Sequence, residues 1–258
     1  MVRKIAIVNQ KGGVGKTTTA VNLAASLAVA EQRTLLIDLD PQGNASSGYG
    51  LNPDDVQRGA YNLLVEGVPL AEVLTGTPLE FLKLVPASHQ LISAEVELSS
   101  VKGKETRLKT LLAKGESEFD YLLIDCPPSL GLLTINALAA VHSVLIPLQC
   151  EYYALEGIVQ LQRTIQLIRQ RLNPFLSIEG VLLTMYDSRT NLSGQVAEEV
   201  RNYFKDRTFR TVIPRNVRLS EAPSHGEPVL LYDVRSRGAL SYLALARELI
   251  DHEEARSG

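Results

Sequence analysis

Short runs of consecutive apolar residues, each followed by a longer stretch with helical spacing, organise this chain from end to end. The apolar runs at 5–8, 34–38, 81–85, 120–125, 143–148, 178–184 and 210–213 read as strands. Helical spacing covers 18–30, 154–172, 192–204 and 238–253, with two short helical stretches between 51 and 80. A Gly/Ser/Asn-rich loop is expected over 41–50. Strands apolar at every position, rather than at alternate ones, are buried on both faces, as in a parallel sheet covered by helices. The pattern predicts an α/β fold: a single-domain, doubly wound, mostly parallel sheet with helices on both faces, spanning 1–258. A chain of 258 residues is large enough for one sizeable core. No repeat, linker or low-complexity segment divides it.

The chemistry starts where the first strand ends. Gln10-Lys11-Gly12-Gly13-Val14-Gly15-Lys16-Thr17-Thr18-Thr19 joins that strand to the first helix. Strand, glycine loop and helix are the context of a phosphate-binding loop, in which backbone N–H groups and the helix N-terminus converge on an anion. Lys16 is then placed for the β- and γ-phosphates, and the Thr17 hydroxyl for Mg²⁺. The ordinary loop carries glycine five positions before Gly15. Here that position is Gln10, and a second lysine, Lys11, follows it. The result resembles the deviant Walker A motif of dimerising ATPases and predicts a P-loop NTPase.

Two carboxylate sites accompany the loop. Leu122-Leu123-Ile124-Asp125 reads as a Walker B strand delivering Asp125 toward Mg²⁺ through water. Leu36-Ile37-Asp38-Leu39-Asp40-Pro41-Gln42-Gly43-Asn44 places Asp38 and Asp40 on one side of an extended strand end. Two like charges so close call for a metal, a water to polarise or ordering donors, which makes Asp38 a further candidate for the metal, also through water.

Composition narrows the function. Hydrophobic residues make up 45% and charged residues 21%, as in globular domains. Tryptophan is absent and aromatics are 5%, too few for a single-strand stacking platform. No apolar run reaches the ~20 residues of a membrane span, and the opening residues lack a signal-peptide pattern, so a cytoplasmic protein is expected. The two cysteines, Cys126 and Cys150, stand at strand ends without ligand spacing and read as buried free thiols.

The deviant loop, residues 36–44, Asp125-Cys126-Pro127-Pro128-Ser129-Leu130-Gly131, Glu151-Tyr152-Tyr153-Ala154-Leu155-Glu156-Gly157 and residues 214–224 together resemble the ParA/Soj-type partitioning ATPases. The likeness runs from about residue 5 to 249. It implies an ATP- and Mg²⁺-dependent cycle. ATP binding makes a sandwich homodimer, which binds double-stranded DNA without sequence preference. A ParB-type partner stimulates hydrolysis, and the protein is nucleoid-associated. In that scheme Lys11 contacts the phosphates of the opposite subunit, and Lys16 with Gly12, Gly13, Val14, Gly15, Thr17 and Thr18 holds ATP. Asp40 positions the attacking water, and Met185, Pro214 and Asn216 hold the base.

A formal net charge of −3 argues against a polyanion partner on its own. Local distribution offsets it: Arg207, Arg210, Arg215 and Arg218 fall in a stretch without acids, and Arg189 precedes it. Of these, Arg189 and Arg218 match the family's DNA-contact positions. The alternative is a MinD-like, membrane-cycling ATPase for division-site placement. Such proteins end in a basic amphipathic helix. Here Leu240, Leu243 and Leu249 suggest an apolar stripe, but the end is acidic, Asp251-His252-Glu253-Glu254. Anionic lipid repels such an end, so docking onto the protein body is expected.

Overall fold

A computed structural model describes residues 2–151 and 154–257, without the side chains of 154–157, 159 and 253–257. Tyr152 and Tyr153 of the 151–157 motif therefore lie outside the described residues.

The chain begins with β1 (Arg3–Ile7), α1 (Lys16–Val29), β2 (Thr34–Asp38) and α2 (Asn44–Ser47). After two single helical turns come β3 (Thr75–Gly76), β4 (Leu82–Val85), α3 (Leu91–Glu97) and α4 (Arg107–Leu112). Next are β5 (Tyr121–Asp125), α5 (Leu132–Ala140), β6 (Ser143–Gln149), α6 (Ala154–Arg171), β7 (Ser177–Tyr186) and α7 (Asn191–Phe204). The last elements are β8 (Thr208–Pro214), α8 (Val217–Glu221), α9 (Val229–Tyr232) and α10 (Arg237–Ser257). Eight strands form one sheet in the order β3-β4-β2-β5-β1-β6-β7-β8. Every pairing is parallel except that of β3 with β4.

The fully apolar strands explain the layering. Within β2, Leu35 and Ile37 face one core and Leu36 the other; Leu122 and Ile124 of β5 likewise oppose Tyr121 and Leu123. The first core is closed by α5, α6 and α7 through Ala137, Leu161 and Val200. The second is closed by α1 and α10 through Leu23, Tyr242 and Leu245. Helices thus cover both faces, as the sequence predicts.

Some elements depart from expectation. The 41–50 loop contains a helical turn, α2, because Gly43 takes the left-handed conformation (φ 64°) that lets the chain reverse into it. The expected helical stretches of 51–80 are single turns at Asn62–Glu66 and Leu70–Glu72. The helix α5 has no counterpart in the sequence reading. In α10 the buried face is Ala239, Tyr242, Leu245, Ala246 and Leu249, whereas Leu240 is 54% exposed. Of the expected stripe Leu249 is buried, Leu243 is half-buried and Leu240 points out, and the helix docks on the body: the Tyr242 hydroxyl lies 3.2 Å from Thr19 Oγ1 of α1. Both cysteines are buried free thiols.

Register places the chemistry. Ile7 of β1 and Asp38 of β2 both pair with Asp125 of β5, so the glycine loop and two carboxylates leave the sheet at one level. This is the C-terminal edge of the strands, where open α/β sheets bind ligands.

Candidate active site

The glycine loop is held open by its neighbours. Asn9 accepts the Lys11 N–H at 3.0 Å and donates to the Pro147 carbonyl at 2.7 Å. Thr184 donates to the Val14 carbonyl at 2.8 Å. Gly13 (φ 75°) and Gly15 (φ 88°) occupy left-handed backbone that a side chain would strain. No side chain caps the start of α1, so its first amides remain available to an anion.

Lys16 is 7% exposed and donates to the Lys11 carbonyl at 3.1 Å, folding back across the loop. Burial pulls its pKa down, while the charges of Asp125 and Asp40 oppose the shift. Lys11 behaves differently. Its side chain is 43% exposed and pairs with Glu151 at 2.5 Å, and the Gln149 amide donates to the same carboxylate. One lysine lies in the cradle and the other at its rim.

Asp125 is fully buried, and neither carboxylate oxygen has a hydrogen-bond partner in good geometry. Burial and the nearby Asp38 push its pKa well up, offset in part by the Thr17 hydroxyl and Lys16. An orphaned buried carboxylate beside a threonine hydroxyl and a lysine suits a hydrated divalent cation, so these residues fit Mg²⁺.

Asp38 is also fully buried, and burial pushes its pKa up to about 6. Its surroundings set it apart from Asp125, because both of its oxygens already accept hydrogen bonds from the residues that follow β2. One oxygen accepts the Asp40 N–H at 3.1 Å. The other accepts both the N–H (2.8 Å) and the hydroxyl (2.7 Å) of Ser46. Asp38 is occupied in ordering the loop. Asp40, 7% exposed, lines the cavity and accepts the Gln42 N–H at 3.0 Å.

A cavity of about 700 Å³ covers the loop, lined among others by Gly12, Gly13, Lys16, Thr17 and Asp40. A hollow of about 140 Å³ adjoins it, lined by Thr18, Met185, Pro214, Asn216 and Tyr242. Gly15, Thr18 and Met185 border both spaces, so a triphosphate over the loop and a base in the hollow would be continuous. From this lining the sequence points to the glycine loop, Asp40, Met185, Pro214 and Asn216. It does not point to Val21, Asn22, Ser47 or Tyr242, nor to Ser46 and Thr184, which support the loops from outside the lining.

Arg189 and Arg218 are both exposed, on adjacent segments: the Arg215 N–H donates to the Tyr186 carbonyl at 3.1 Å, joining the two turns. The acid-free stretch of sequence is not acid-free in space. Arg189 grips Asp187 through two bonds of 2.9 and 2.7 Å. Arg218 pairs with Glu221 at 2.7 Å and Asp233 at 3.3 Å, and Arg210 lies 3.7 Å from Glu248. Asp187 and Glu221 are near neighbours in the chain, whereas folding brings in Asp233 and Glu248.

The glycine loop after β1, its lysine and the carboxylate ending β5 define a P-loop nucleoside triphosphatase. A family model described as an AAA domain matches residues 2–178. The chain is 59% identical to chromosome partitioning protein ParA of Myxococcus xanthus, over 99% of this chain and 90% of that one. It is 58% identical to sporulation initiation inhibitor protein Soj of Bacillus subtilis, over 96% and 98% of the two. Among solved structures, cobyrinic acid a,c-diamide synthase from Mycobacterium smegmatis with bound ADP and magnesium matches at TM-score 0.87. Its identity is 38%, over 98% of this chain and 96% of that one. Septum site-determining protein MinD from Pyrococcus horikoshii, complexed with Mg-ADP, matches at TM-score 0.80 and 25% identity, over 96% of each chain. The chain belongs to the ParA/Soj family of chromosome-partitioning ATPases. Among the described residues, no helix is long and apolar enough to cross a membrane.

Proposed function

We propose that this partitioning ATPase works as a nucleotide-gated dimer that holds duplex DNA while ATP is bound and releases it after hydrolysis. ATP with Mg²⁺ occupies the loop and its cavity. Lys16 and the amides of Gly13, Val14, Gly15, Thr17 and Thr18 hold the phosphates. Thr17 ligates Mg²⁺ directly and Asp125 through water. The base lies against Met185, Pro214 and Asn216, and Asp40 orients the attacking water. A ParB-type protein is the partner that accelerates hydrolysis, and the working location is the nucleoid. The observation that carries this reading is the pair of lysines: Lys16 lies in the cradle, and Lys11 stands at the rim, facing outward onto Glu151. A rim cation is placed to neutralise phosphate charge across a two-fold interface, as an arginine finger does. The spent apolar face of α10, packed on α1, favours this cycle over a membrane-bound one. Retention on duplex DNA in ATP, ADP and a non-hydrolysable analogue tests it. Equal retention in ATP and ADP would overturn nucleotide gating.

Lys11 acting in trans makes a specific prediction. In a mixture of Lys11→Ala and Asp40→Ala subunits, the mixed dimer combines both lesions in one site and leaves the other intact. Hydrolysis in the mixture should exceed that of either variant alone by a clear margin. No gain on mixing would overturn the trans arrangement, and normal turnover in Lys11→Ala alone would remove Lys11 from the reaction.

For DNA, Arg189 and Arg218 are proposed to contribute phosphate contacts on one face, doubled by the dimer. Changing either to alanine removes about two contacts per dimer, so the log–log salt slope should become shallower by roughly 1.8. Affinity should fall alike for every duplex sequence, with ATP binding kept. Unchanged affinity in the double variant would move the surface elsewhere, toward Arg235, Arg237 and Arg247.

A further inference from the structure

The loop that carries Asp40 must be held still relative to the phosphates if Asp40 is to aim a water. Its backbone has few fixed points. Gly43 N–H bonds the Asp40 carbonyl at 2.9 Å, and α2 then closes a single turn. The strongest tie comes from Ser46, which is completely buried. Its hydroxyl proton goes to Asp38 at 2.7 Å, and its oxygen accepts the Ala87 N–H at 2.9 Å. Its own N–H adds a second bond to the same Asp38 oxygen at 2.8 Å. Asp38 in turn accepts the Asp40 N–H through its other oxygen. Three chain segments therefore meet at one hydroxyl: the end of β2, the Asp40 loop and the residues after β4.

The chemistry of the node is demanding. A hydroxyl is the small group that donates and accepts at once. An alanine leaves the Ala87 N–H and one Asp38 lone pair unmet in a buried setting. A thiol has nearly the right size but is a weak donor and acceptor. The node lies one short link from Asp40 and outside the lining of the nucleotide cavity. It can thus affect where Asp40 points without touching ATP.

We infer that Ser46 is a positioning residue for hydrolysis, fixing the Asp40 loop through Asp38 and Ala87; this rests on the proposed role of Asp40. Small displacements of a reacting group cost rate steeply, about 10- to 100-fold for shifts of the order of an ångström. In the full-length protein with Mg²⁺ and ATP, Ser46→Ala and Ser46→Cys should each lower kcat by about 10- to 100-fold. The KM for ATP and equilibrium ATP binding should stay within roughly threefold, since phosphate and base contacts are untouched. Because Ser46 acts through Asp40, adding Ser46→Ala to Asp40→Ala should leave the residual rate unchanged.

A parallel fall of kcat and ATP affinity in both variants would show general damage to the loop and overturn the proposal. So would the same fold-loss in the Asp40→Ala background, which means Ser46 acts by another route. A normal kcat in Ser46→Ala beside an inactive Asp40→Ala rejects Ser46 and leaves Asp40 standing. Full turnover in Asp40→Ala rejects the Asp40 role itself. The thiol variant guards against a folding failure of the alanine variant, since it fills the same space.

Discussion

Lys16→Ala should eliminate ATP-dependent turnover, with a loss on the order of 10²- to 10³-fold or more, the scale for removing one preorganised electrostatic donor. Lys16 is the buried cation of the cradle, with its ammonium near Asp125 and Asp40 and its pKa drawn down by burial. Its present hydrogen bond to the Lys11 carbonyl is a weak tie that phosphate oxygens would replace with stronger, charge-assisted ones. The substitution removes that gain and also strips Asp125 of a neighbour that favours its ionised form. Both effects work against Mg²⁺ and ATP together. The fold should persist, because alanine is at least as good a helix former as lysine at the start of α1. Calorimetric titration with Mg²⁺ and ATP, beside a turnover assay and a thermal melt, separates these effects. Lys16→Arg should not restore activity, since a planar guanidinium does not reproduce a compact ammonium in a tight loop. Normal ATP affinity in Lys16→Ala would remove the loop from nucleotide binding.

What the sequence makes legible follows from how locally each feature is encoded. β2 and β5 are contiguous runs of apolar residues ending in Asp38 and Asp125, so their order and burial could be read directly. The phosphate loop is likewise contiguous, with a glycine at each left-handed position that matters, Gly13 and Gly15. α5 escaped because Leu132–Ala140 is short and apolar on nearly every side, so neither a helical nor an alternating period stands out. The buried face of α10 is only partly legible, through Leu249, because small residues, Ala239 and Ala246, share it while the larger Leu240 points out. Ser46 was invisible for another reason: its meaning depends on Asp38 and on Ala87, 41 residues further along. The arginine pairs illustrate the same limit in charge. Along the chain Arg218 meets only Glu221, three residues on, yet Asp233 also reaches it from beyond α9. Sequence shows charges in order, and only the fold shows which of them cancel.

Asp40→Ala should separate binding from chemistry. The Asp40 backbone N–H bond to Asp38 survives the substitution, and only the side chain's bond to the Gln42 N–H is lost. That loss costs about 0.5–1.5 kcal/mol, offset in part by relief of the repulsion between Asp40 and the buried Asp38. The loop should therefore keep its path, and the phosphate contacts do not involve it. ATP and Mg²⁺ binding should remain within a few-fold of the parent. Hydrolysis should fall by about 10²- to 10⁴-fold, the usual contribution of a positioned acid or base. The variant should then accumulate in its ATP-bound form and stay on duplex DNA long after the parent has released it. Asp40→Asn sharpens the test: the amide oxygen can still accept the Gln42 N–H, but the group cannot take a proton. If the carboxylate serves only the turn or only orients the water, asparagine should restore turnover; if it takes a proton from the water, asparagine should be as slow as alanine. Single-turnover hydrolysis with prebound ATP, followed alongside DNA release, reads both quantities in one experiment. Parent-like hydrolysis in both variants would leave Asp40 as a turn residue and move the water-orienting role to another side chain of the cavity, with Gln42 and Asn44 the nearest along the chain.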